Sequence, residues 1–358
     1  MPKRTLFIAE AGVNHNGSLS QALALVDVAA DAGADVVKFQ TFKATNLVTA
    51  SARKADYQVS NTGEAGGQLE MLRRLELSPA DHLALLQRCR ERGIRFMSTA
   101  FDPQSLDFLA TLDMPAIKIP SGDITHAPMA LQAARLRRPL IVSTGMSTLA
   151  DIEAMLGVLA FGLTCQSAPS GRRDFDAARC SPQGEAALRE FVTLLHCTTQ
   201  YPAPPEAVNL LAMDTMAQAF NLPVGYSDHT IGIEVSIAAV ARGATVIEKH
   251  FTLDRALPGP DHAASLEPSE LKQLVAAIRV VERALGSRTK APAPAELDNR
   301  SVARRSIVAA RPLSRGEVLT LDSLAFKRPG TGLPPLECWD LIGKPAARDY
   351  AEDDLILP

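Results

Sequence analysis

The 358-residue sequence has few cysteines and none in pairs. Cys89, Cys165, Cys180, Cys197 and Cys338 lie far apart, and no Cys-x-x-Cys occurs. A scattered, odd-numbered set excludes a disulfide framework and points to reduced thiols in a reducing compartment. Net charge is also nearly absent: 37 Lys and Arg against 40 Asp and Glu leave −3. Nucleic acid is therefore not an expected partner. Basic pairs such as Arg137-Arg138 and Arg304-Arg305 are too short to change that. No apolar run approaches the roughly 20 residues that span a bilayer, so no membrane association is expected. The stretch Met1–Gly12 is broken by Glu10, is too short for a signal peptide and lacks a cleavage site. The expected location is the cytoplasm. Two phosphate-binding signatures are missing as well. No Gly-x-Gly-x-x-Gly turn follows the first strand, and no Gly-x-x-x-x-Gly-Lys is present.

What is present is a rhythm. Apolar residues make up 46% and charged residues 22%, enough for a sizeable core. Short β-rich runs at 5–9, 35–39, 95–99, 116–119, 139–143, 191–196, 223–226 and 244–248 alternate with helical stretches. The helices fall at 19–32, 79–92, 128–135, 148–159, 210–220, 231–242 and 268–285. Such alternation predicts a parallel sheet with helical crossovers. About eight units in 285 residues fit an α/β fold of the (β/α)₈ TIM-barrel type better than an open sheet. The expected division is a barrel over 1–285, an Ala/Pro-rich charged linker over 286–300, and a small β-rich module over 301–358. Residues 43–67 and 163–183 break the rhythm and read as long loops.

Barrel enzymes place reacting groups at the C-terminal ends of their strands. Here those ends carry Glu10; Lys38 and Gln40; Ser98 and Thr99; Lys118 with Ser121-Gly122-Asp123; Ser143-Thr144-Gly145; His196 with Thr198, Thr199 and Tyr201; Ser227-Asp228-His229; and Glu248-Lys249-His250, with Asp261 beyond. Singly, each has an ordinary reading: a snorkelling lysine, or a Ser-Gly-Asp turn. Together they form a ring of charged and hydroxylic groups. Lys38 and Lys118 could neutralise a phosphate and a carboxylate, with Ser121, Ser143 and Ser227 as neutral donors. His229 and His250 end neighbouring strands and could ligate a divalent metal. A nearby carboxylate, Glu10 or Asp123, would favour Mn²⁺ or a similar ion. Spacing alone leaves two unrelated strand-end histidines equally open.

The segments IAEAGVNHNG (Ile8–Gly17), GADVVKFQT (Gly33–Thr41), IKIPSGD (Ile117–Asp123), STGM (Ser143–Met146), LLHCTTQYPAP (Leu194–Pro204), VGYSDHTIG (Val224–Gly232), EKHFT (Glu248–Thr252) and PGPDHAAS (Pro258–Ser265) resemble the N-acetylneuraminate (sialic acid) synthase family. That family includes the legionaminic acid synthases. The tail Ser306–Gly332 resembles its antifreeze-like (SAF) C-terminal domain. The resemblance covers nearly the whole chain. It implies a barrel followed by an SAF domain, condensing phosphoenolpyruvate with N-acetylmannosamine or a related acetamido sugar. The alternative acceptor is 2,4-diacetamido-2,4,6-trideoxymannose. It further implies a domain-swapped homodimer and a divalent metal, Mn²⁺ first and Mg²⁺ or Co²⁺ as alternatives, on His229 and His250. Phosphoenolpyruvate would lie against Lys38, Thr99, Lys118, Ser121, Ser143, Thr199 and Ser227. Glu10 and Asp123 would be catalytic. The sugar would meet Glu10, Gln40, Asn61, Asp123, Tyr201 and Asp261, with Arg328 coming from the partner. Some members have Glu in place of Asp123, Asn in place of Thr199, and an aromatic residue in place of Val302. Two rivals stand beside this: condensation with a phosphorylated sugar, which would need a further basic cluster, and a non-catalytic sugar-binding or coat-assembly protein.

Overall fold

The computed structural model describes residues 4–55, 58, 59, 61 and 67–357. The chain divides into two compact units, Met1–Gly286 and Ser287–Pro358.

The first unit is a closed barrel of eight parallel strands in sequence order, so the expected α/β barrel is what forms. The strands are β1 (Leu6–Gly12), β2 (Val36–Thr41), β3 (Arg95–Ala100), β4 (Ile117–Ile119), β5 (Leu140–Ser143), β6 (Val192–Cys197), β7 (Val224–Asp228) and β8 (Val246–His250). β8 closes onto β1 with Glu10 opposite His250. Helices cover the outside, several of them bounded by local capping chemistry. In helix Pro79–Arg92, Ser78 and Asp81 form a reciprocal capping box, Pro79 starts the first turn, and Gly93 stops it at φ 69°. Helix Leu19–Asp31 buries Ala22, Leu25, Val26 and Ala29 on one face. These join the large core between helices and sheet.

The barrel interior follows a period of two, as strand side chains alternate between faces. Ile8, Val36, Met97, Ile141, Leu195 and Val246, from six of the strands, and Ala116, just before β4, form a buried apolar floor. The remaining strand, β7, contributes Gly225, where an added Cβ would stand 2.4 Å from the Val246 carbonyl oxygen. Two residues further along each strand the interior turns polar: Glu10, Lys38, Thr99, Lys118, Ser143, Cys197, Ser227 and Glu248. All eight line one cavity above the floor.

Both long breaks in the rhythm contain structure. Helices Ala44–Leu47 and Gln68–Leu75 flank the first. In the second, helix Leu149–Thr164 runs on past the expected end, followed by helices Arg172–Arg179 and Pro182–Phe191. Phe175 of that insertion packs edge-on against Phe161, which anchors an otherwise charged helix. A further helix, Pro103–Ala110, capped by Asp102, fills the gap between β3 and β4.

The second unit pairs β9 (Ser306–Ala309) and β10 (Leu324–Lys327) antiparallel. It has its own core, which includes Ile307, Leu313, Leu324, Tyr350 and Ile356. Part of the stretch read as linker is helical, Pro294–Ala303. Pro294 begins that helix, and the Glu296 side chain accepts from the Ala293 N–H. No helix among the described residues is long and apolar enough to cross a membrane.

Candidate active site

The cavity at the C-terminal mouth of the barrel measures about 150 Å³. Twelve residues expected in the site line it: Glu10, Lys38, Gln40, Thr99, Lys118, Ser121, Ser143, Thr199, Tyr201, Ser227, His229 and His250. Asp123, Asn61 and Asp261 are not among the lining side chains. Arg328 lies exposed in the second unit, just past β10. Asn61 donates to the Pro260 carbonyl at 2.7 Å, which ties it to the stretch bearing Asp261. Asp261 is buried, and burial pushes its carboxyl up to about 6 against the opposing influence of His229. Asp123 is also raised by burial, and its Oδ2 is buried without a hydrogen-bond partner.

The middle layer is charged yet buried. Lys38 Nζ lies 2.7 Å from Glu10 Oε2 and 3.4 Å from Glu248 Oε2, and it donates to Thr99 Oγ1 at 2.9 Å. Lys118 Nζ donates to Glu248 Oε1 at 3.0 Å, and Ser227 Oγ donates to the same oxygen at 2.9 Å. The two lysines and two glutamates are all at most 5% exposed. Burial pushes the Glu10 carboxyl up to about 7, with Lys38 pulling the other way. Burial works against charge on Glu248 too, but Lys118 and Lys38 outweigh it and hold its carboxyl far below the usual range. Burial likewise opposes charge on Lys38, and Glu10 and Glu248 reverse the effect and raise it. The layer therefore separates its two carboxyls: one poised near neutrality, one firmly ionised. Ser143 Oγ is buried with no partner, a donor without an acceptor.

Above this layer stand Gln40, Phe101, Pro120, Thr199, His229 and His250, again two residues further along the chain, at or just past the strand ends. The His229 and His250 ring centroids are 5.7 Å apart, and the Tyr201 ring lies 4.0 Å from His229, tilted by 34°. His229 Nδ1 is 2.7 Å from the Thr198 carbonyl, so Nδ1 carries a proton and Nε2 is the nitrogen left to face the cavity. Burial opposes charge on this imidazole, but Cys197 and the Thr198 carbonyl outweigh it and hold it above the ordinary histidine range. Burial, His229 and Lys38 hold His250 neutral, well below the ordinary histidine range. Two glycines make this crowding possible. Gly12 has φ 55°, and an added Cβ there would lie 3.1 Å from His250 Cε1. At Gly145 a Cβ would stand 2.2 Å from Thr199 Oγ1 and 2.8 Å from Ser121 Oγ, while its N–H donates to that serine at 3.0 Å.

Sequence reasoning placed Glu248 in the ring of strand ends without a role and passed over Cys197. The signal was available: each lies two residues beyond an apolar floor position, as Lys38 and Ser227 do.

A closed barrel whose mouth buries two lysines, hydroxyls and a pair of imidazoles has the form of an enzyme site for a small anion. Comparison with known proteins assigns it further. The NeuB family model matches residues 25–290, and the SAF domain model matches 304–358. The chain is 46% identical over 354 residues to the N,N′-diacetyllegionaminic acid synthase of Campylobacter jejuni, covering 99% of each. It is 47% identical over 350 residues to the enzyme of that name from Legionella pneumophila, covering 98% of this chain and 92% of the other. Among solved structures, the N-acetylneuraminic acid (sialic acid) synthetase of Leptospira borgpetersenii, crystallised with citrate, matches with a TM-score of 0.66 at 31% identity. That match covers 83% of this chain and 90% of the other. The chain belongs to the NeuB family and carries its SAF domain, as the resemblance implied.

Proposed function

We propose that the chain is a cytoplasmic, phosphoenolpyruvate-dependent synthase of a nonulosonic (sialic-type) acid, with its chemistry in the barrel. C3 of phosphoenolpyruvate bonds to the aldehyde carbon of an N-acetylated amino sugar. Water adds at C2, and the C2–O bond to phosphate breaks. The observation that carries this reading is the joint burial of Lys38 and Lys118 in one layer with Thr99, Ser143 and Ser227, next to a pair of imidazoles. A compact molecule bearing both a phosphate and a carboxylate matches two ammoniums ringed by hydroxyls. Ser121 and Thr199, brought together over Gly145, add two donors. Glu10 and Asp123 would stabilise positive charge developing at C2. Gln40, Tyr201, Asn61 and Asp261 are the proposed sugar contacts, with Arg328 as a further one. The homodimer remains part of the proposal. Most of the rate gain would come from holding two substrates in register.

The donor set fits a divalent cation held by two residues. No three His, Cys, Asp or Glu side chains converge on one point among the described residues. His229, with its tautomer fixed by Thr198, and neutral His250 would each supply one imidazole. Mn²⁺ is the proposed ion, with Mg²⁺ or Co²⁺ as alternatives. Bound there, it would polarise the acceptor aldehyde. The two relatives above 45% identity are named for diacetyllegionaminic acid, which supports 2,4-diacetamido-2,4,6-trideoxymannose as the acceptor ahead of N-acetylmannosamine.

The test is His229→Ala. It should lose Mn²⁺ binding by calorimetry and metal-dependent turnover while keeping the wild-type circular dichroism. Full activity with Mn²⁺ still bound would remove His229 from the site.

A further inference from the structure

Four charged groups share the middle layer: Lys38, Lys118, Glu10 and Glu248. With all four ionised the layer is neutral, and a neutral layer is a poor trap for an anion. Glu248 also sits on the donors that an anion would use. Its Oε1 accepts from Lys118 Nζ at 3.0 Å and from Ser227 Oγ at 2.9 Å. Its Oε2 has Lys38 at 3.4 Å and takes no hydrogen bond. The carboxylate is 5% exposed and lines the same cavity as these partners. We infer that Glu248 is a resident counter-anion: it holds Lys118 and Ser227 in the substrate-free protein and sets the affinity for anionic substrate and product phosphate by competing for them. This deepens the phosphoenolpyruvate reading above and rests on it.

The physical logic has two sides. Without an internal anion, two buried ammoniums would face one another uncompensated, which is costly. With it, an incoming phosphate or carboxylate must take Lys118 and Ser227 from Glu248, or share them against its charge. Binding is weakened, and the same repulsion helps phosphate leave. Lys38 does not depend on Glu248 for its place, since Glu10 and Thr99 also hold it. A scaffolding role for Glu248 predicts the opposite outcome: removing its charge would loosen Lys118 and weaken anion binding.

Glu248→Gln keeps the shape and removes the charge. Glu248→Asp keeps the charge but is one methylene shorter, so it cannot hold Lys118 and Ser227 as closely. Phosphoenolpyruvate and inorganic phosphate would each be titrated calorimetrically into the full chain loaded with Mn²⁺, without acceptor. A unit charge removed from a buried pocket should tighten both anions about tenfold or more in the Gln variant, with the Asp variant between it and wild type. In turnover, KM for phosphoenolpyruvate should fall, kcat should fall, and phosphate should become a stronger product inhibitor. Equal or weaker binding of both anions by the Gln variant overturns the inference. If phosphate tightens while no protein binds phosphoenolpyruvate, the counter-anion stands and the substrate assignment falls.

Discussion

Replacing Lys249 with Met probes how the two imidazoles are held. Lys249 and Asp228 are an ion pair at 2.9 Å whose side chains are both 0% exposed. They immediately precede His250 and His229, on the opposite strand face from the cavity. Lys249 Nζ also donates to the Thr230 carbonyl at 2.7 Å. Asp228 accepts from the Thr230 N–H, the Thr230 hydroxyl and the Ser236 hydroxyl at 2.9, 2.8 and 2.6 Å. Removing one partner of a buried pair typically costs about 3–5 kcal/mol, because the survivor stays charged and buried. With a further hydrogen bond from the Tyr226 hydroxyl at 3.4 Å, Asp228 retains four, which places Lys249→Met near the low end, about 3 kcal/mol. For a unit of this size that lowers the melting temperature by about 6 °C. Far-UV circular dichroism reports the barrel. The single tryptophan, Trp339, lies in the second unit, so its fluorescence provides a separate probe. Adding Asp228→Asn should recover half or more of the loss, a coupling that a double-mutant cycle isolates. Mn²⁺ affinity should fall in the single variant and return in part in the double. A melting loss under about 1 °C, or a double variant whose loss is the plain sum of the two singles, would refute the pair as the brace behind His229 and His250.

Two further outcomes follow from the cavity. Glu10 has a folded pKa near 7 against 4.5 in a free side chain, so the folded protein binds more protons than the unfolded one between those values. Stability must then fall as pH rises through that window, by up to about 3 kcal/mol, and level off above 7. Melts of wild type and Glu10→Gln from pH 4.5 to 8 should diverge with rising pH in favour of the variant; a constant difference would contradict the burial argument. Gly145→Ala should drive a methyl against Thr199 and Ser121, lowering kcat/KM for phosphoenolpyruvate about 10²-fold. A KM left at its wild-type value would show that those hydroxyls do not hold the anion.

Much of this was legible in the sequence because barrel strands advertise themselves by β-rich runs between amphipathic helices. The strand ends were less legible. Charged residues such as Asp228 and Lys249 look like loop material, so β7 and β8 read as ending at 226 and 248, whereas they run to Asp228 and His250. Pairing inside the barrel is what makes those charges tolerable in a strand, and pairing is a tertiary property. Glu248 was visible at a strand end, but its partner was not. It lies far in sequence from Lys118, which it meets at 3.0 Å. The insertion at 163–183 read as loop from its Ser, Pro, Arg and Asp content. Its helices are set instead by caps, Ser181 accepting from the Gly184 N–H, and by the Phe175 contact. The His229 and His250 pairing was visible as two strand ends; the lock on His229 from Thr198 was not.

The most direct measurement is phosphate release from phosphoenolpyruvate by the Mn²⁺-loaded full chain, run in parallel with 2,4-diacetamido-2,4,6-trideoxymannose, with N-acetylmannosamine and with no acceptor. The account predicts release that requires an acceptor and is fastest with the diacetamido sugar, together with a product whose mass equals both substrates plus water less phosphate. Faster release with N-acetylmannosamine would move the acceptor assignment and leave the reaction standing. No release with either sugar, from folded protein that binds Mn²⁺, would contradict the account.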